Sequence, residues 1–310
     1  MLHINKKFEK ESSAMKLAKI LGLHRLHWSL RRLHVPVPKS ALVLEVGAGG
    51  NPYPRSNVML DAMEETIERN EQALIKDRPL VLGIVEELPF KDKSFDFVIA
   101  SHVLEHTDNP EKFLSEIMRV GKAGYIETPA GWFEKICAFT YHRLEVSDDD
   151  GVLLIKKKEN WKPESISYFW EKIKSNKKFM NFLRVNPEFY HMRYYWDDRI
   201  NFKIINPEVK ADWAYPEELI SRKVKFTSWT DSARNLYLMI RRNLLSQRSR
   251  NRNLNIDKLL RCPTCHSEDL KFSENITCLS CGANYERSKG VPKMFPLRIT
   301  GFNKDRLGAG

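Results

Sequence analysis

The chain has 310 residues, of which 42% are hydrophobic and 29% charged, with a formal net charge of +11. That length exceeds what one hydrophobic core usually spans and predicts about two domains of ~150 residues each, while the composition excludes a mainly disordered chain. No stretch approaches the ~20 apolar residues of a spanning helix, and the start at Met1 lacks the apolar run of a secretory signal, so a cytoplasmic protein is expected.

The basic excess is confined to two segments. Residues 1–40 hold nine Lys/Arg against two acids, and residues 221–261 hold eleven against two. Such segments suit something anionic: phosphate, nucleic acid or a membrane face. From Ser13 to His34, the apolar positions Leu17, Ile20, Leu21, His24 and Trp28 alternate with Lys16, Lys19, Arg25, Arg31 and Arg32 at helical spacing. The segment 1–40 therefore reads as a basic amphipathic helix. It either packs its stripe on the next domain or lies on an anionic membrane, peripheral to the inner face.

Short apolar runs at 41–46, 58–60, 80–82, 95–100 and 124–126 read as buried parallel strands with helices between most of them, an α/β doubly wound sheet. The connection from Gly50 to Asn57 is too short for an ordinary crossover helix. After it, 144–146 and 152–155 flank Asp150-Gly151 as a hairpin, whose antiparallel strands are expected to close the sheet. Residues 159–230 hold five of the seven tryptophans and read as an aromatic-rich cap over the substrate site. A basic helix and linker (231–257), a cysteine module (258–297) and a tail (298–310) follow.

Val43 to Asn51 runs from a strand into Gly47, Gly49 and Gly50, where backbone can approach a ligand closely. A dinucleotide fingerprint would need glycine at 52, and Pro52 argues against NAD or FAD. Further on come Leu88-Pro-Phe90, Ser94-Phe-Asp96 and His102-Val-Leu-Glu-His106, and then Tyr125-Ile-Glu-Thr-Pro129.

In this order and spacing the segments resemble class I S-adenosylmethionine-dependent methyltransferases, over residues 41–158. The resemblance implies a Rossmann-like sheet. It further implies that Glu45, Gly47 and Gly49 surround the methionine part of the cofactor and that Asp61 holds the ribose hydroxyls, with Ser101 among the cofactor residues. Many relatives carry an aspartate after the glycine of strand three. Here Gly83 is followed by Ile84, which leaves Ile84 or Val85 with backbone amides, or Glu86, to meet the adenine.

His102 to His106 also fits the inverted zinc-protease pattern H-x-x-E-H, but its place directly after a strand rejects that reading. Ubiquinone-type relatives carry a metal site E-x-x-E-H here; His102 replaces its first glutamate, and hard cations prefer carboxylates. The plain alternative makes His106 a packing residue. Methyl transfer needs a base only when the acceptor is protonated, and the candidates near the strand ends are His102, Glu127 and His142. Cys137 lies in an apolar helical pattern and reads as core.

Cys262, Cys265, Cys278 and Cys281 form two C-x-x-C knuckles twelve residues apart, which can close a tetrahedral shell with no open position. Structural zinc is the reading, with iron or a redox disulfide pair as alternatives. The flanks resemble the zinc-ribbon activator subunit of tRNA, rRNA and release-factor methyltransferases, which implies a ribbon that packs on the methyltransferase core in cis. The function expected is methyl transfer to a small molecule, sugar or lipid-linked glycan. The alternatives are an RNA methyltransferase and a non-catalytic binding module.

Overall fold

The computed structural model describes residues 10–64, 74–137, 139–162, 166–213 and 229–297. The predicted tail and parts of the predicted cap, 163–165 and 214–228, lie outside the described residues. The chain divides into two compact units, one from 1–38, 100–110 and 123–216, the other from 39–99, 111–122 and 217–310. The strands of the main sheet are divided between the units, and β4 (Phe97–Ser101) contributes residues to both.

In the second unit, β1 (Val43–Val46), β2 (Val58–Asp61) and β3 (Leu80–Leu82) run parallel, with Leu44 opposite Val58 and Met59 opposite Leu80. All their residues are buried, which is why the sequence shows near-continuous apolar runs rather than alternation, interrupted by Glu45 in β1 and ended by Asp61 in β2. No helix occupies 51–57. Instead the buried Arg78 guanidinium donates to the carbonyls of Tyr53 (2.9 Å) and Ser56 (2.7 Å), bonds a crossover helix would otherwise supply internally. After β4 comes α3 (Pro110–Val120), which buries Phe113, Leu114, Ile117 and Val120 at helical spacing.

The cysteine module is a small antiparallel sheet of β10 (Leu270–Phe272), β11 (Ile276–Cys278) and β12 (Asn284–Tyr285), followed by the hairpin β13 (Arg287–Ser288) and β14 (Val291–Pro292). It is joined to the strand layer by backbone. The Met294 amide donates to Leu82 O (2.7 Å), Lys91 N to Leu259 O (2.9 Å) and Arg261 N to Pro89 O (3.1 Å). A Cβ on Gly83 would stand 3.0 Å from Met294 O, so a side chain there would press on this seam.

In the first unit, β5 (Ala123–Pro129) pairs antiparallel along its whole length with β8 (His191–Asp197), from Ala123 opposite Asp197 to Pro129 opposite His191. The run 190–196 within the predicted cap thus supplies an edge strand of the main sheet. The predicted hairpin is present as β6 (Leu144–Asp149) and β7 (Val152–Lys157), but it does not close that sheet. With the parallel strand β9 (Phe202–Ile204) it forms a separate three-stranded sheet. The edge position is taken by β8, which is buried at Met192 and from Tyr194 to Trp196 and can exchange seven registered pairs with β5.

The predicted single helix 13–34 is two helices, α1 (Ser13–Ile20) and α2 (His24–Leu30). Gly22 separates them at φ +67°, with Gly22 N donating to Lys19 O and Leu23 N to Ala18 O, the paired bonds of a glycine helix stop. Three further helices, α4 (Gly131–Cys137), α5 (Ser167–Ile173) and α6 (Lys177–Val185), complete the described part of this unit, and Asn176 caps α6 through Lys178 N and Phe179 N.

Candidate functional site

The glycine-rich turn lies in the second unit. Gly47 and Gly49 adopt φ +64° and +57°, a backbone region other residues enter only with strain. Asp61, at the end of β2, accepts from Gly49 N (3.1 Å) and Met63 N (3.1 Å), which fixes its carboxylate against the turn. Buried Glu45 accepts from Tyr53 N through both oxygens (3.1 and 2.8 Å) and pins the loop that replaces the first crossover helix. Val85 and Glu86 form a short 3-10 turn, Val85–Glu87, at the end of β3. The structure thus brings Glu45, Gly47, Gly49 and Asp61 together at the ends of neighbouring strands. A cradle without Cβ atoms beside a fixed carboxylate fits a nucleoside cofactor with a vicinal diol.

The candidate bases lie in the first unit and fall into two adjoining clusters. His102 has φ +57° and sits between two buried carboxylates, with Nδ1 3.2 Å from Glu105 Oε1 and Nε2 3.2 Å from Glu127 Oε1. Burial opposes its protonation, but the hydrogen bonds and charges of Glu105 and Glu127 outweigh that and raise its pKa to about 9. Ser101 Oγ is 3.4 Å from Glu127 Oε1.

Glu127 is fully buried. Burial would raise its pKa, yet the charge of Arg31 and hydrogen bonds from Arg31 and His102 hold it well below the usual carboxylate range. Arg31 grips it at both oxygens, Nε to Oε2 at 2.7 Å and NH2 to Oε1 at 2.6 Å, and the Tyr125 hydroxyl donates to it as well. His142 belongs to the other cluster, with Nδ1 2.7 Å from Glu134 Oε2. Burial first, then the nearby His106, push it well below 6.5. At neutral pH, then, His102 carries its proton, Glu127 is ionised and sealed, and His142 is neutral and buried.

The fragment His102 to His106 is not one helix. Leu104–His106 is a 3-10 turn with His102 outside it. Among the described residues, His102 groups with Glu127 and His191, whereas Glu105 and His106 group with His142, so no group holds His102, Glu105 and His106 together. His106 stacks on Tyr141 with rings 5.9 Å apart and nearly coplanar. Cys137 ends α4 half-buried, and burial pushes its thiol up to about 12, which leaves it unreactive.

The four late cysteines converge with all Sγ atoms within 4.8 Å of one another, at 3.7 Å for Cys262–Cys281 and 3.5 Å for Cys265–Cys278. A tetrahedral zinc with Zn–S of ~2.3 Å needs sulfur–sulfur edges of about 3.8 Å, so the donor set fits that ion. Burial disfavours the Cys262 thiolate, but Tyr285 Oη 3.0 Å from its sulfur and nearby amides lower its pKa to about 7.

Residues 44–126 match the family model of a methyltransferase domain. This core has the Rossmann-like fold of methyltransferases. In sequence it is 33% identical over 94 residues to an uncharacterised protein of Methanocaldococcus jannaschii, covering 29% of this chain and 43% of that protein. It is 33% identical over 107 residues to an uncharacterised methyltransferase of Schizosaccharomyces pombe, covering 28% and 38%. The chain therefore spans less than half the length of these curated relatives. A solved complex of the Haloferax volcanii Trm112 methyltransferase activator with its methyltransferase aligns over 60% of this chain and 93% of that one, at 15% identity and a TM-score of 0.35.

The matched stretch ends one residue short of Glu127, and the two arginines of this cluster come from outside it. Arg31 reads in the sequence as one cation of a basic face, yet it is buried, bonded to Glu127, and lies 3.7 Å from the Trp28 ring centroid. Arg193 donates to the Tyr125 hydroxyl (3.1 Å) and the Tyr195 hydroxyl (3.0 Å). No local pattern marks either arginine, because their partners lie 96 and 68 residues away.

The shifted histidines make stability depend on pH in opposite senses, with His142 on the same side as His191. His102, raised to about 9 from an unfolded 6.5, contributes stability that is fully present below pH 6.5 and lost as pH rises towards 9. His191, lowered mainly by burial to about 4, contributes stability that is lost as pH falls from 6.5 towards 4. Urea midpoints measured across pH 4–9.5 should therefore peak near 6.5, and His102→Gln should flatten the alkaline limb alone. An alkaline limb unchanged in that variant would show that His102 does not carry the extra proton.

Proposed function

We propose that this chain is an S-adenosylmethionine-dependent methyltransferase whose acceptor is a small molecule, a sugar or a lipid-linked glycan. The observation that carries it is the coincidence of the methyltransferase-domain match with a glycine turn held in left-handed backbone against Asp61. Glu45, Gly47, Gly49 and Asp61 would hold the cofactor, with Val85, Glu86 and Ser101 completing its surroundings. S-adenosylmethionine supplies an electrophilic methyl group, so the protein's part is to align the acceptor and exclude water. The charge states of His102, Glu127 and His142 favour orientation of an acceptor over proton abstraction from it at neutral pH.

The linker arginines that would favour RNA are partly committed elsewhere. Arg250 donates to the carbonyls of Lys39 (2.7 Å), Ser40 (2.6 Å) and Ala41 (2.8 Å), and Asn251 accepts from Asn57 Nδ2 (2.8 Å). The short helix Arg248–Arg252 thereby anchors the entry to β1 rather than offering a row of cations to phosphates. A ribbon bonded to β3 supports support in cis over substrate capture.

Calorimetry with S-adenosylhomocysteine tests the reading. Asp61→Ala should weaken binding by about 1.5–3 kcal/mol, the worth of hydrogen bonds to a charged group. Asp61→Asn, which keeps one acceptor oxygen, should fall between. No binding by the parent chain would leave the non-catalytic alternative. Methyl transfer to bulk RNA, lost on Arg248, Arg250 and Arg252→Gln, would replace the small acceptor by RNA.

A further inference from the structure

The N-terminal helices bury the wrong side for an ordinary packed helix. The inward positions of α1 and α2 are Met15, Ala18, His27 and Trp28. The aliphatic stripe itself faces out: Leu17 is 57% exposed, Ile20 80% and Leu21 61%, followed by Leu23 and Leu26 past the Gly22 turn. The packed-stripe expectation is thus overturned for these leucines. His27 explains the orientation, since its two nitrogens lie 3.0 Å from Glu11 Oε1 and 2.9 Å from Glu188 Oε2, and Arg31 pulls the same face inward to Glu127. These buried polar bonds outrank the leucines, because unpaired buried charges cost more than exposed aliphatics.

Through Glu188 the surface continues onto a second exposed group. Phe189 touches Trp132 (ring centroids 5.3 Å) and Phe182 (5.6 Å), and all three are exposed. Cations outnumber acids along both stretches, where Glu11, paired with Lys19 at 3.4 Å, and Glu188 are turned to His27. Residues 12–44 contain no Asp or Glu, exposed Lys16, Lys19 and Arg25 border the leucines, and exposed Lys177, Lys178 and Arg184 border Phe182. Leucines, Trp and Phe bordered by Lys and Arg on short helices are the composition of a surface that lies in the headgroup region of a bilayer. A second copy of the same basic surface would repel it. No described helix is long and apolar enough to cross a membrane.

We propose that α1, the Gly22 turn, α2 and the Trp132–Phe182–Phe189 group form a docking surface for an anionic lipid bilayer, the leucines entering the acyl boundary and the cations meeting lipid phosphates. This goes beyond methyl transfer and does not depend on it, because docking requires no cofactor. It gives the chain a place to meet an acceptor held in a membrane.

Co-sedimentation of the full chain with phosphatidylcholine vesicles, and with equimolar phosphatidylcholine and phosphatidylglycerol, tests it. The expected result is retention on the anionic vesicles, reduced on the neutral ones, and weakened by salt as the cation contribution is screened. Ile20→Gln with Leu23→Gln should lower the anionic partition about tenfold or more, since two exposed aliphatics lose their burial. Lys16, Lys19 and Arg25→Gln should remove most of the salt dependence. Both variants should keep the parent's circular dichroism and melting temperature, because the altered side chains are exposed.

Absence of parent binding to anionic vesicles would overturn the proposal, as would equal retention on neutral ones. Unchanged binding in the Ile20/Leu23 variant would do the same. Concentration-dependent dimerisation lost in that variant, without vesicle binding, would assign the surface to a second copy instead.

Discussion

Replacing Cys262 by Ser, or stripping metal with a chelator under reducing conditions, is expected to unfold residues 258–297 and to lower the stability of the strand layer they bind. Purified with its thiols reduced, the chain should carry one zinc. Structural zinc in ribbon and finger modules contributes about 10–16 kcal/mol of apparent binding free energy, and in a sheet whose strands are two or three residues long little else can hold the fold. The effect should not stop at the module. Met294 N is bonded to Leu82 O, Lys91 N to Leu259 O, and Leu260 and Met294 are fully buried, so loss of the metal should expose the seam along β3.

Hydrogen exchange would read this directly, as lost protection of the Met294 and Lys91 amides, with metal analysis beside it. Protein that contains no metal yet protects both amides would refute a structural zinc. Disulfides would instead leave three free thiols per chain with one bridge, or Cys137 alone with two. The exposed positions of Cys265 and Cys281 against buried Cys262 and Cys278 make oxidative loss of metal start at the outer pair.

The second large effect belongs to the buried pair Arg31–Glu127. Arg31→Met leaves the Glu127 carboxylate at full burial with His102 and Tyr125 as its remaining partners, and breaking such a pair typically costs about 3–5 kcal/mol. Urea denaturation should show a loss of that order for Arg31→Met and for Glu127→Gln. The double replacement by apolar residues should recover part of it, because no charge is then left unpaired. A single-variant loss under ~1 kcal/mol, the worth of an exposed pair, would mean that water reaches the guanidinium. Since Arg31 closes the segment that begins with α1, Arg31→Met should also quicken proteolytic cleavage at the exposed Leu21–Leu23 turn.

What could be read from the sequence follows the range of the interactions involved. The strands at 43–46, 58–61, 80–82, 97–101 and 123–129 announce themselves by short apolar runs within them, because buried strands read as near-continuous apolar segments. The glycines of the 47–49 turn are legible because their backbone conformation excludes other residues. The cysteine ligand set is legible because a tetrahedral ion demands four thiolates at short spacing. The same local reading fails where two patterns compete. Residues 13–34 carry a helical stripe throughout, yet Gly22 splits them and the stripe is not the face that packs.

By itself, then, the sequence determined the Rossmann-like core, the turn against Asp61 and the four-cysteine module, since each is encoded within a few dozen residues by periodicity, backbone conformation or ligand spacing. Tertiary structure alone decided that β8, and not the hairpin, flanks β5, that Arg31 is an internal partner of Glu127, and that His102 holds a proton between two carboxylates. It also decided that Leu17 and Ile20 of α1 face outward. The β8 edge is decided by seven registered pairs with β5, whereas for Arg31, His102 and the outward face of α1 buried polar groups choose partners across tens of residues, and the cost of leaving a charge unpaired overrides the local hydrophobic pattern.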